Sequence, residues 1–347
     1  MNEKSPISFK PKQVTKRLLS VLSGRSQDVL SGRFGLGSET KRMTLEAIGK
    51  KYKITRERVR QIENYSLTNV RKSKEYIKEK PAFDELKNIL VELGSVSSEE
   101  SFLKHISKDK STQNHIHFML VISEEFIKEK EDDEFKHRWH VDKELSGKVH
   151  DALRKLYSSL SNDEILVEAD MVEKFLENLK DVSDKYKTEE IAKRYLALSK
   201  LIDKNPLGEW GKKSSSNISA KGMRDYAFLV IRRHGSPIHF REVAKLITEL
   251  FKKKAHVATT HNELIKDPRF VLVGRGLYAL TEWGYMAGVV KDVIRGVLEK
   301  NGPMTKEEIV KKVLKERYVK ENTIMVNLQN PKLFKKMKDG RYDVVGK

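Results

Sequence analysis

Residues 44–73 read TLEAIGKKYKITRERVRQIENYSLTNVRKS. A threonine precedes each of two helical patterns, at Thr44 and at Thr55, where its hydroxyl can accept a hydrogen bond from the first turn of the helix. Only the three residues KIT, 53–55, separate the two patterns. Two capped helices joined by so short a turn predict a helix-turn-helix.

The second of these helices is predicted to have two contrasting faces. At 100° per residue, its core side is formed by Val59, Ile62, Ser66 and Val70, with Leu67 at the edge. The opposite side carries Glu57, Gln61, Asn64 and Thr68, flanked by Arg58, Arg60 and Tyr65, with Arg56 in the first turn. Arginine, glutamine and glutamate can read guanine, adenine and cytosine edges, whereas an ordinary solvated face favours Glu–Lys pairs four residues apart. We therefore interpret it as a DNA recognition helix rather than a basic solvated helix.

The charge of the chain points to a polyanionic partner. The 347 residues carry 69 Lys and Arg against 50 Asp and Glu, a net charge of +19. Residues 1–80 contribute +12, residues 81–220 contribute −6, and residues 221–347 contribute +13. Because phosphate neutralisation dominates nucleic-acid affinity, we expect DNA contacts at the two basic ends. The middle is expected to serve folding or protein contacts.

Composition also limits the compartment. No apolar run is long enough to span a bilayer, so we expect no membrane association, and the N-terminal residues contain no apolar signal core. The chain has no cysteine, which excludes disulfides and thiolate zinc sites and fits a reducing environment. We expect a cytoplasmic protein.

Five segments are predicted along the chain. Two short helices, at 12–22 and 26–31, precede the helix-turn-helix, with Val14, Leu18, Leu19, Val21, Leu22, Val29 and Leu30 turned inward. After Pro81, amphipathic helices followed by a short β-like stretch recur four times, which is typical of winged helices. The segments are 1–80, 81–143, 144–213, 221–286 and 288–347, and the Ser-rich residues 212–222 are a predicted linker. For residues 81–220, one irregular helical bundle is the alternative.

The first segment resembles a known family. RSQDVLSGRFGL (25–36) followed by MTLEAIGKKYKITRERVRQIENYSLTNVRKS (43–73) is similar to region 4 of sigma-70 family sigma factors. The resemblance covers about residues 12–75. It implies that the helix-turn-helix binds the −35 promoter element while docked on the flap of the RNA polymerase β subunit.

The resemblance also implies roles for individual residues. It places Arg56, Glu57, Arg60 and Gln61 against bases. It places the phosphates near the helix N-terminus at Thr44 and Leu45 and near Arg25, Arg33 and Arg58. Arg71 falls where the family often has a basic residue, near the promoter backbone or a bound activator. Tyr65 stands where the family usually has lysine, and Asn64 replaces a small residue, so base preference at one edge is expected to differ. Region 2, which melts the −10 element in complete sigma factors, has no counterpart in this sequence, so we expect no promoter opening by this chain alone.

Residues 221–286 resemble a second family, the HARE-HTH winged helix, which also occurs in the RNA polymerase δ subunit. The pattern is GSPIHF (235–240), then Thr-x-x-x-Leu, then Arg-Phe and Gly-x-Tyr-Ala-Leu. The resemblance implies a core formed by Leu229, Ile231, Val243, Ile247, Leu264, Phe270 and Leu280. Lys252–Lys254 and Arg275 would lie on the helix and wing, and GRG (274–276) is a wing turn rather than a phosphate loop.

The last segment is also predicted to be a winged helix. Thr305 and Glu308 form a capping box, and a third helix is predicted after Glu321. Polar side chains suited to a DNA groove and to phosphates lie on and after that helix, at Asn322, Thr323, Asn327, Gln329, Lys332, Lys335 and Lys336. An ordinary polar face is the alternative.

We predict no enzyme, no cofactor and no metal site. His115, His117, His137 and His140 lack a supporting carboxylate motif and are interpreted as surface or interface histidines. Asp133, Glu134 and Lys136 superficially match a nuclease motif but belong to a charge run. No catalytic triad, Walker loop or Rossmann fingerprint stands out.

The combined prediction is a mainly α protein, a sigma region 4-like helix-turn-helix followed by tandem winged helices with small β-hairpin wings. The predicted function is specific binding of −35-like double-stranded promoter DNA in bacterial transcription initiation or its regulation. Two alternatives remain open. One is a δ-like accessory subunit of RNA polymerase without specific DNA reading, and the other is the DNA-scanning component of a restriction system.

Overall fold

The computed structural model describes residues 6–286 and 288–345. The fold is mainly α-helical, with small antiparallel sheets of two or three strands. The chain divides into two compact units. The first extends to residue 203 and includes 210–213, and the second comprises 204–209 and everything from 214 onward.

The elements up to residue 213 fall into the following order. The helices are α1 (Pro11–Leu19), α2 (Gly24–Phe34), α3 (Leu45–Tyr52), α4 (Arg56–Arg71), α5 (Lys74–Lys78), α6 (Lys80–Glu92), α7 (Glu99–Ile106), α8 (Lys110–Ile122), α9 (Lys143–Ser159), α10 (Glu168–Asn178) and α11 (Glu189–Leu196). The strands are β1 (Val96–Ser98), β2 (Ile127–Glu129), β3 (Arg138–His140), β4 (Ile202–Lys204) and β5 (Trp210–Lys212).

The elements after residue 213 are again helices interspersed with short strands. The helices are α12 (Met223–His234), α13 (Phe240–Phe251), α14 (Val257–Lys266), α15 (Val290–Asn301), α16 (Lys306–Glu316) and α17 (Glu321–Leu328). The strands are β6 (Ile238–His239), β7 (Phe270–Leu272), β8 (Leu277–Leu280), β9 (Phe334–Lys336) and β10 (Tyr342–Val344).

The predicted helix-turn-helix is confirmed in α3 and α4. The Thr44 hydroxyl accepts from the Ala47 N–H and the Thr55 hydroxyl from the Arg58 N–H, each at 3.1 Å. Between the helices, Lys53 adopts a left-handed conformation with φ 52°. Gly49 permits close approach, because a Cβ there would lie 2.6 Å from the Ile54 carbonyl oxygen. These features fix α4 across α3.

Four segments share one winged-helix topology. In α6–β1–α7–α8–β2–β3 the strand order is β1–β3–β2, and in α12–β6–α13–α14–β7–β8 it is β6–β8–β7. In the segment from α9 to β5, a single bridge between Leu166 and Trp210 takes the place of the first strand. In the segment from α15 to β10, a bridge between Met304 and Tyr342 does so. The predicted tandem winged helices are therefore confirmed as the fold class, and GRG (274–276) lies in the turn between β7 and β8.

The burial of the second unit agrees with the pattern expected of its first winged helix. The predicted core residues are all buried there: Leu229, Ile231, Val243, Ile247, Leu264, Phe270 and Leu280. In the last winged helix, Thr305 and Glu308 form the predicted capping box at the start of α16. The finer assignment of residues 221–286 to the HARE-HTH family stays a prediction.

Packing in the first unit crosses the sequence boundary at residue 80. One hydrophobic core contains Val14 and Leu18 of α1, Phe34 of α2, and Phe118 of α8. The Phe34 and Phe118 rings meet edge to face, with centroids 5.2 Å apart. The helix-turn-helix segment and the first winged helix therefore fold around a common core.

Two local predictions were wrong. Val21 is 40% exposed, because α1 ends at Leu19 and the chain turns before α2. Residues 212–222 are not a free linker, since Ser215, Asn217 and Ile218 are buried. The Ser215 carbonyl accepts from the Ile218 and Ser219 N–H groups, and this turn lets Ile218 pack inward despite the polar composition around it.

Candidate nucleic-acid interface

Helix α4 has the two faces that its sequence predicts. Val59, Ser66 and Val70 are fully buried and Leu67 is nearly so. The side chains predicted to face DNA bases are exposed: Arg56, Glu57, Arg60 and Gln61. Tyr65, on the flank of this stripe, is 67% exposed.

Three of the side chains predicted to face bases, Glu57, Arg60 and Gln61, form hydrogen bonds within α4. The Arg60 guanidinium donates from Nε and Nη2 to both carboxylate oxygens of Glu57, at 2.9 and 2.6 Å. Hydrogen bonding from Arg60 lowers the pKa of Glu57, so this carboxylate remains ionised. Arg58 Nη1 donates to Gln61 Oε1 at 3.1 Å. The stripe thus displays a clamped guanidinium and an amide NH₂ donor.

This arrangement has a chemical consequence for base reading. The clamped Arg60 keeps its Nη1 donors free, and arginine donors suit the acceptors on guanine. Gln61 can donate as it stands, but a bidentate contact with adenine also needs its Oε1, which Arg58 occupies. A phosphate that drew Arg58 away would release that oxygen.

The residues predicted to contact phosphates are displayed to different degrees. Arg25 is exposed, and its guanidinium lies 5.9 Å from the centre of the Tyr52 ring. Thr44 is exposed at the N-terminus of α3, whose first N–H groups and helix dipole attract anions. Leu45 follows as the first helical residue and is half-buried.

Arg33 and Arg71 are engaged within the protein. Arg33 Nη1 donates to the Met43 carbonyl at 3.2 Å, and its Nε lies 3.3 Å from a Glu63 carboxylate oxygen. Arg71 donates from Nε to the Ile122 carbonyl and from Nη2 to the Val121 carbonyl, both at 2.9 Å. These carbonyls end α8, so Arg71 caps that helix instead of presenting its guanidinium to DNA.

Helix α8 packs against the buried sides of α1, α2 and α4. This packing was not predicted from the sequence. Nine of its thirteen residues are buried, and it contacts α1, α2 and α4. A helix buried on nearly all sides shows no single apolar stripe, so its surroundings cannot be inferred from periodicity. Its unusual mixture of apolar and polar residues, QNHIHFML (113–120), was the available signal.

Asn114 of α8 holds the loop that leads into α3. This side chain is fully buried, and its Nδ2 donates to the Gly35 carbonyl at 3.0 Å and the Thr40 carbonyl at 2.8 Å. Its Oδ1 accepts from Arg42 Nε at 3.0 Å. The Asn114 amide thus makes three hydrogen bonds to this loop, two as a donor and one as an acceptor, and they fix the path of residues 35–42.

A half-buried ionic cluster lies beside this loop. Glu99 accepts from Lys128 Nζ at 2.6 Å and from Trp139 Nε1 at 3.0 Å, with His117 Nε2 at 3.4 Å. Burial raises the pKa of Glu99, but the His117 and Lys128 contacts outweigh that effect and hold the pKa well below its usual range. Arg42, at 3.9 Å, connects this cluster to the loop.

The remaining histidines correct one interpretation. His115, His117 and His140 are buried, so the surface interpretation fits only His137, whose side chain is 49% exposed. His140 Nε2 lies 3.0 Å from a Glu129 carboxylate oxygen. Among the residues described, no group of three or more His, Cys, Asp or Glu side chains has an arrangement suited to a metal ion.

The nuclease-like residues are used in ordinary contacts. Glu134 pairs with Arg154 at 2.8 Å, and Lys136 Nζ donates to the Ala197 carbonyl at 3.0 Å. They lie in the loop between β2 and β3.

Within residues 6–286 and 288–345, no helix is both long and apolar enough to cross a bilayer.

Comparison with known proteins agrees with this geometry. Residues 18–72 match the family described as Sigma-70, region 4. The chain thus contains a DNA-binding helix-turn-helix of the sigma-factor type. Over 59 residues it is 44% identical to the RNA polymerase sigma factor RpoD of Neisseria gonorrhoeae, a stretch that covers 17% of this chain and 9% of that protein. The similarity therefore spans only a small part of that relative.

Proposed function

We propose that this protein binds −35-like promoter DNA in a sequence-specific manner and acts in transcription initiation or its regulation with bacterial RNA polymerase. The observation that carries the proposal is the exposed stripe of α4, with Arg56, Glu57, Arg60 and Gln61, on a capped helix-turn-helix. The match of residues 18–72 to sigma-70 region 4 supports the same use. Inserted in a major groove, the stripe offers donors and an acceptor to base edges.

The proposed contacts with the DNA backbone follow from the exposure of the basic side chains and of the α3 N-terminus. Arg25, Arg58 and the α3 N-terminus at Thr44 and Leu45 have positive groups free to approach phosphates. Arg33 contributes through the guanidinium nitrogens that Met43 and Glu63 leave free. Arg71 is proposed to position α4 by its hydrogen bonds to the end of α8, so its contribution to phosphate binding is small.

Contact with RNA polymerase is part of the proposal, and the structure limits how it occurs. The apolar sides of α1, α2 and α4 are covered by α8 through the common core. A polymerase element such as the β flap would therefore bind the exposed sides of these helices, or else displace α8. The first route needs no unfolding and is the one we propose.

The test is a binding selection with the full chain against random duplex DNA at near-physiological salt. We expect a −35-like motif to be enriched, and we expect Arg60→Ala and Gln61→Ala each to blur different positions of it. One lost bidentate contact changes base discrimination by about 1–3 kcal/mol, or roughly five- to 150-fold. Lys155→Ala, an exposed lysine in α9, serves as the control.

Two results would contradict the proposal. One is the absence of any enriched motif, and the other is enrichment of the same motif, equally sharp, by both α4 variants. Measuring at several salt concentrations separates specific binding from electrostatic attraction, because only a specific complex keeps its sequence ratio as phosphate contacts are screened.

A second candidate function, a polymerase accessory subunit without specific DNA reading, is favoured by one surface. A groove of 810 Å³ separates the β7–β8 wing from the last winged helix. Its lining includes the exposed apolar side chains of Leu272, Val289, Leu314 and Tyr318. An apolar groove of this kind suits a protein partner. Polymerase binding that survives Arg60→Ala and is lost in Leu314→Asp would favour this candidate.

A further inference from the structure

The four winged helices present very different third helices and wings, although their topology is the same. In a helix-turn-helix fold the helix that follows the turn enters the groove, and an adjoining hairpin can reach the backbone. The charge and exposure of these two elements therefore decide which winged helices are able to contact a duplex.

The third helices of the first two winged helices offer a duplex little free positive charge. The third helix of the first is α8, which is buried in the core beneath the helix-turn-helix segment. Its wing, residues 130–137, contains four consecutive acidic residues. In the second, the cations of α11 are neutralised, because Lys193 pairs with Glu168 and Glu189 and Arg194 pairs with Glu190, all at 2.6–2.7 Å.

The wing of the third winged helix carries a single cation. Its turn, residues 273–276, contains Arg275. The exposed side chains of α14 include Val257 and Ile265, which are 42% and 62% exposed. Apolar groups in these positions favour a protein surface over a phosphate backbone.

The wing of the last winged helix is a dense cationic surface. Lys335 and Lys336 lie on β9, Lys338 lies in the turn to β10, and Lys332 precedes the strand. All four are exposed. Within the described chain no ion pair engages them, whereas Arg341 is neutralised by Asp339 at 2.6 Å.

The backbone of this wing holds the lysines in a narrow space. The Met337 N–H donates to the Arg341 carbonyl at 2.7 Å, and the Gly340 N–H donates to the Met337 carbonyl at 3.1 Å. Gly340 closes the turn with φ +85°, a conformation that glycine adopts readily. At no more than about 3.3 Å per residue, Lys335–Lys338 lie within roughly 10 Å along the chain, so a short stretch of DNA backbone can meet them.

We propose that the wing formed by Lys332, Lys335, Lys336 and Lys338 is a second duplex-binding surface that contacts the DNA backbone without reading bases. The lysines are ammonium point charges on flexible stems, which suit phosphate contact but give little base discrimination. Helix α17 supports this, because its exposed side chains are Glu321, Asn322 and Val326, with no arginine among them. The surface therefore adds affinity and footprint to the reading helix α4.

The test measures the salt dependence of DNA binding by the full chain on a scrambled duplex of about 40 base pairs. The variant Lys335→Gln/Lys336→Gln/Lys338→Gln removes three exposed charges. The matched control, Lys143→Gln/Lys155→Gln/Lys180→Gln, removes three exposed charges from the middle of the chain. We expect the slope of log K against log salt to fall in magnitude by about 2–3 for the wing variant and by less than about 0.5 for the control.

The same variants are then measured on a duplex with the α4-selected motif. The ratio of specific to scrambled binding should be unchanged in the wing variant, since phosphate contacts weaken all sequences alike. An unchanged slope, a slope change equal to that of the control, or a changed sequence ratio would overturn the inference. Because the slope is read on scrambled DNA, its outcome is independent of whether α4 reads a sequence.

Discussion

At the scale of single residues, α4, the proposed recognition helix, has its exposed side chains hydrogen-bonded to one another in the free protein. Glu57 holds Arg60 through two hydrogen bonds, and Arg58 bonds to Gln61. An arginine fixed in one orientation loses less side-chain freedom on binding than a free one, which lowers the entropic cost of the contact. These pairs are exposed, so they contribute little to stability, and we expect their effect to be on DNA recognition.

The first prediction concerns Glu57. In Glu57→Ala, the Arg60 guanidinium loses its clamp, and we expect a broader base preference at the positions that Arg60 and Glu57 face. The melting temperature should change little because both side chains are exposed. A DNA binding selection and a thermal melt measure the two effects.

The control for this substitution is Glu46→Ala on α3. Glu46 also forms an exposed pair, with Lys50 at 3.2 Å, but lies outside the stripe. It should leave the selected motif unchanged. Glu57→Ala selecting the parental motif with undiminished sharpness would show that the clamp plays no part in recognition.

The second prediction concerns pH. Burial, together with the neighbouring Arg138 guanidinium, lowers the pKa of His150 from 6.5 to about 4. The unfolded chain therefore binds a proton more readily, and stability is lost as pH falls from about 6.5 toward 4. This one group accounts for at most about 3 kcal/mol. His117 and His140, whose pKa values burial also lowers, act in the same direction.

Urea unfolding between pH 4 and 8 measures this effect. The slope of stability against pH should be shallower in His150→Gln, which cannot titrate. His137→Gln, at an exposed histidine, is the matched substitution control. Parallel curves for the parent and His150→Gln would contradict the assignment of the pH dependence to this residue.

At the scale of elements, the helix-turn-helix depends on how closely its turn passes α3. A Cβ on Gly49 would lie 2.6 Å from the Ile54 carbonyl oxygen, so Gly49→Ala must move the backbone of the turn. Overpacking costs about 1–3 kcal/mol and exceeds the helix-propensity gain of roughly 1 kcal/mol. We therefore expect destabilisation and weaker DNA binding, measured by denaturant unfolding and by titration.

A second glycine in a helix gives a control of opposite sign. Gly147 lies within α9 with no atom near enough to contact an added Cβ. Gly147→Ala should stabilise the protein by about 0.5–1 kcal/mol, because alanine favours the helix without a clash. If both substitutions stabilised the protein, close packing would not explain Gly49.

The same elements show how far sequence reasoning reaches. Thr44, Thr55 and the apolar period of α4 specify the two helices locally, so their bounds and faces were predictable from the residues. Helix α8 was not, because its burial depends on α1, α2 and α4 from distant parts of the chain. The pairing of Arg58 with Gln61 and the capping of α8 by Arg71 could not be predicted either, since they depend on side-chain geometry. The burial of Ile218 was not predicted, because the serines around it are typical of a linker.

At the scale of the whole molecule, the common core of the first unit decides which fragments fold. Val14, Leu18, Phe34 and Leu36 pack in the core that includes α8. The last prediction is that a fragment of residues 1–80 exposes these side chains and melts at a lower temperature, or without a cooperative transition. A fragment of residues 1–213 should melt cooperatively.

Circular dichroism melts of the two fragments measure their melting temperatures and cooperativity. The fragment of residues 1–80 still carries the capped α3 and α4, so its helical content alone is not diagnostic. Equal melting temperatures and equal cooperativity in the two fragments would show that the segment before residue 80 folds independently of α8.

The buried position of α8 also has a thermodynamic consequence. With Asn114 holding residues 35–42 and Arg71 holding the end of α4, the helices that carry the proposed base-reading face are already ordered in the free protein. Association then involves no coupled folding in this part of the chain, so its heat capacity change reflects only the apolar surface that the duplex covers. The ordering entropy has already been lost during folding, and binding can proceed close to rigid-body docking.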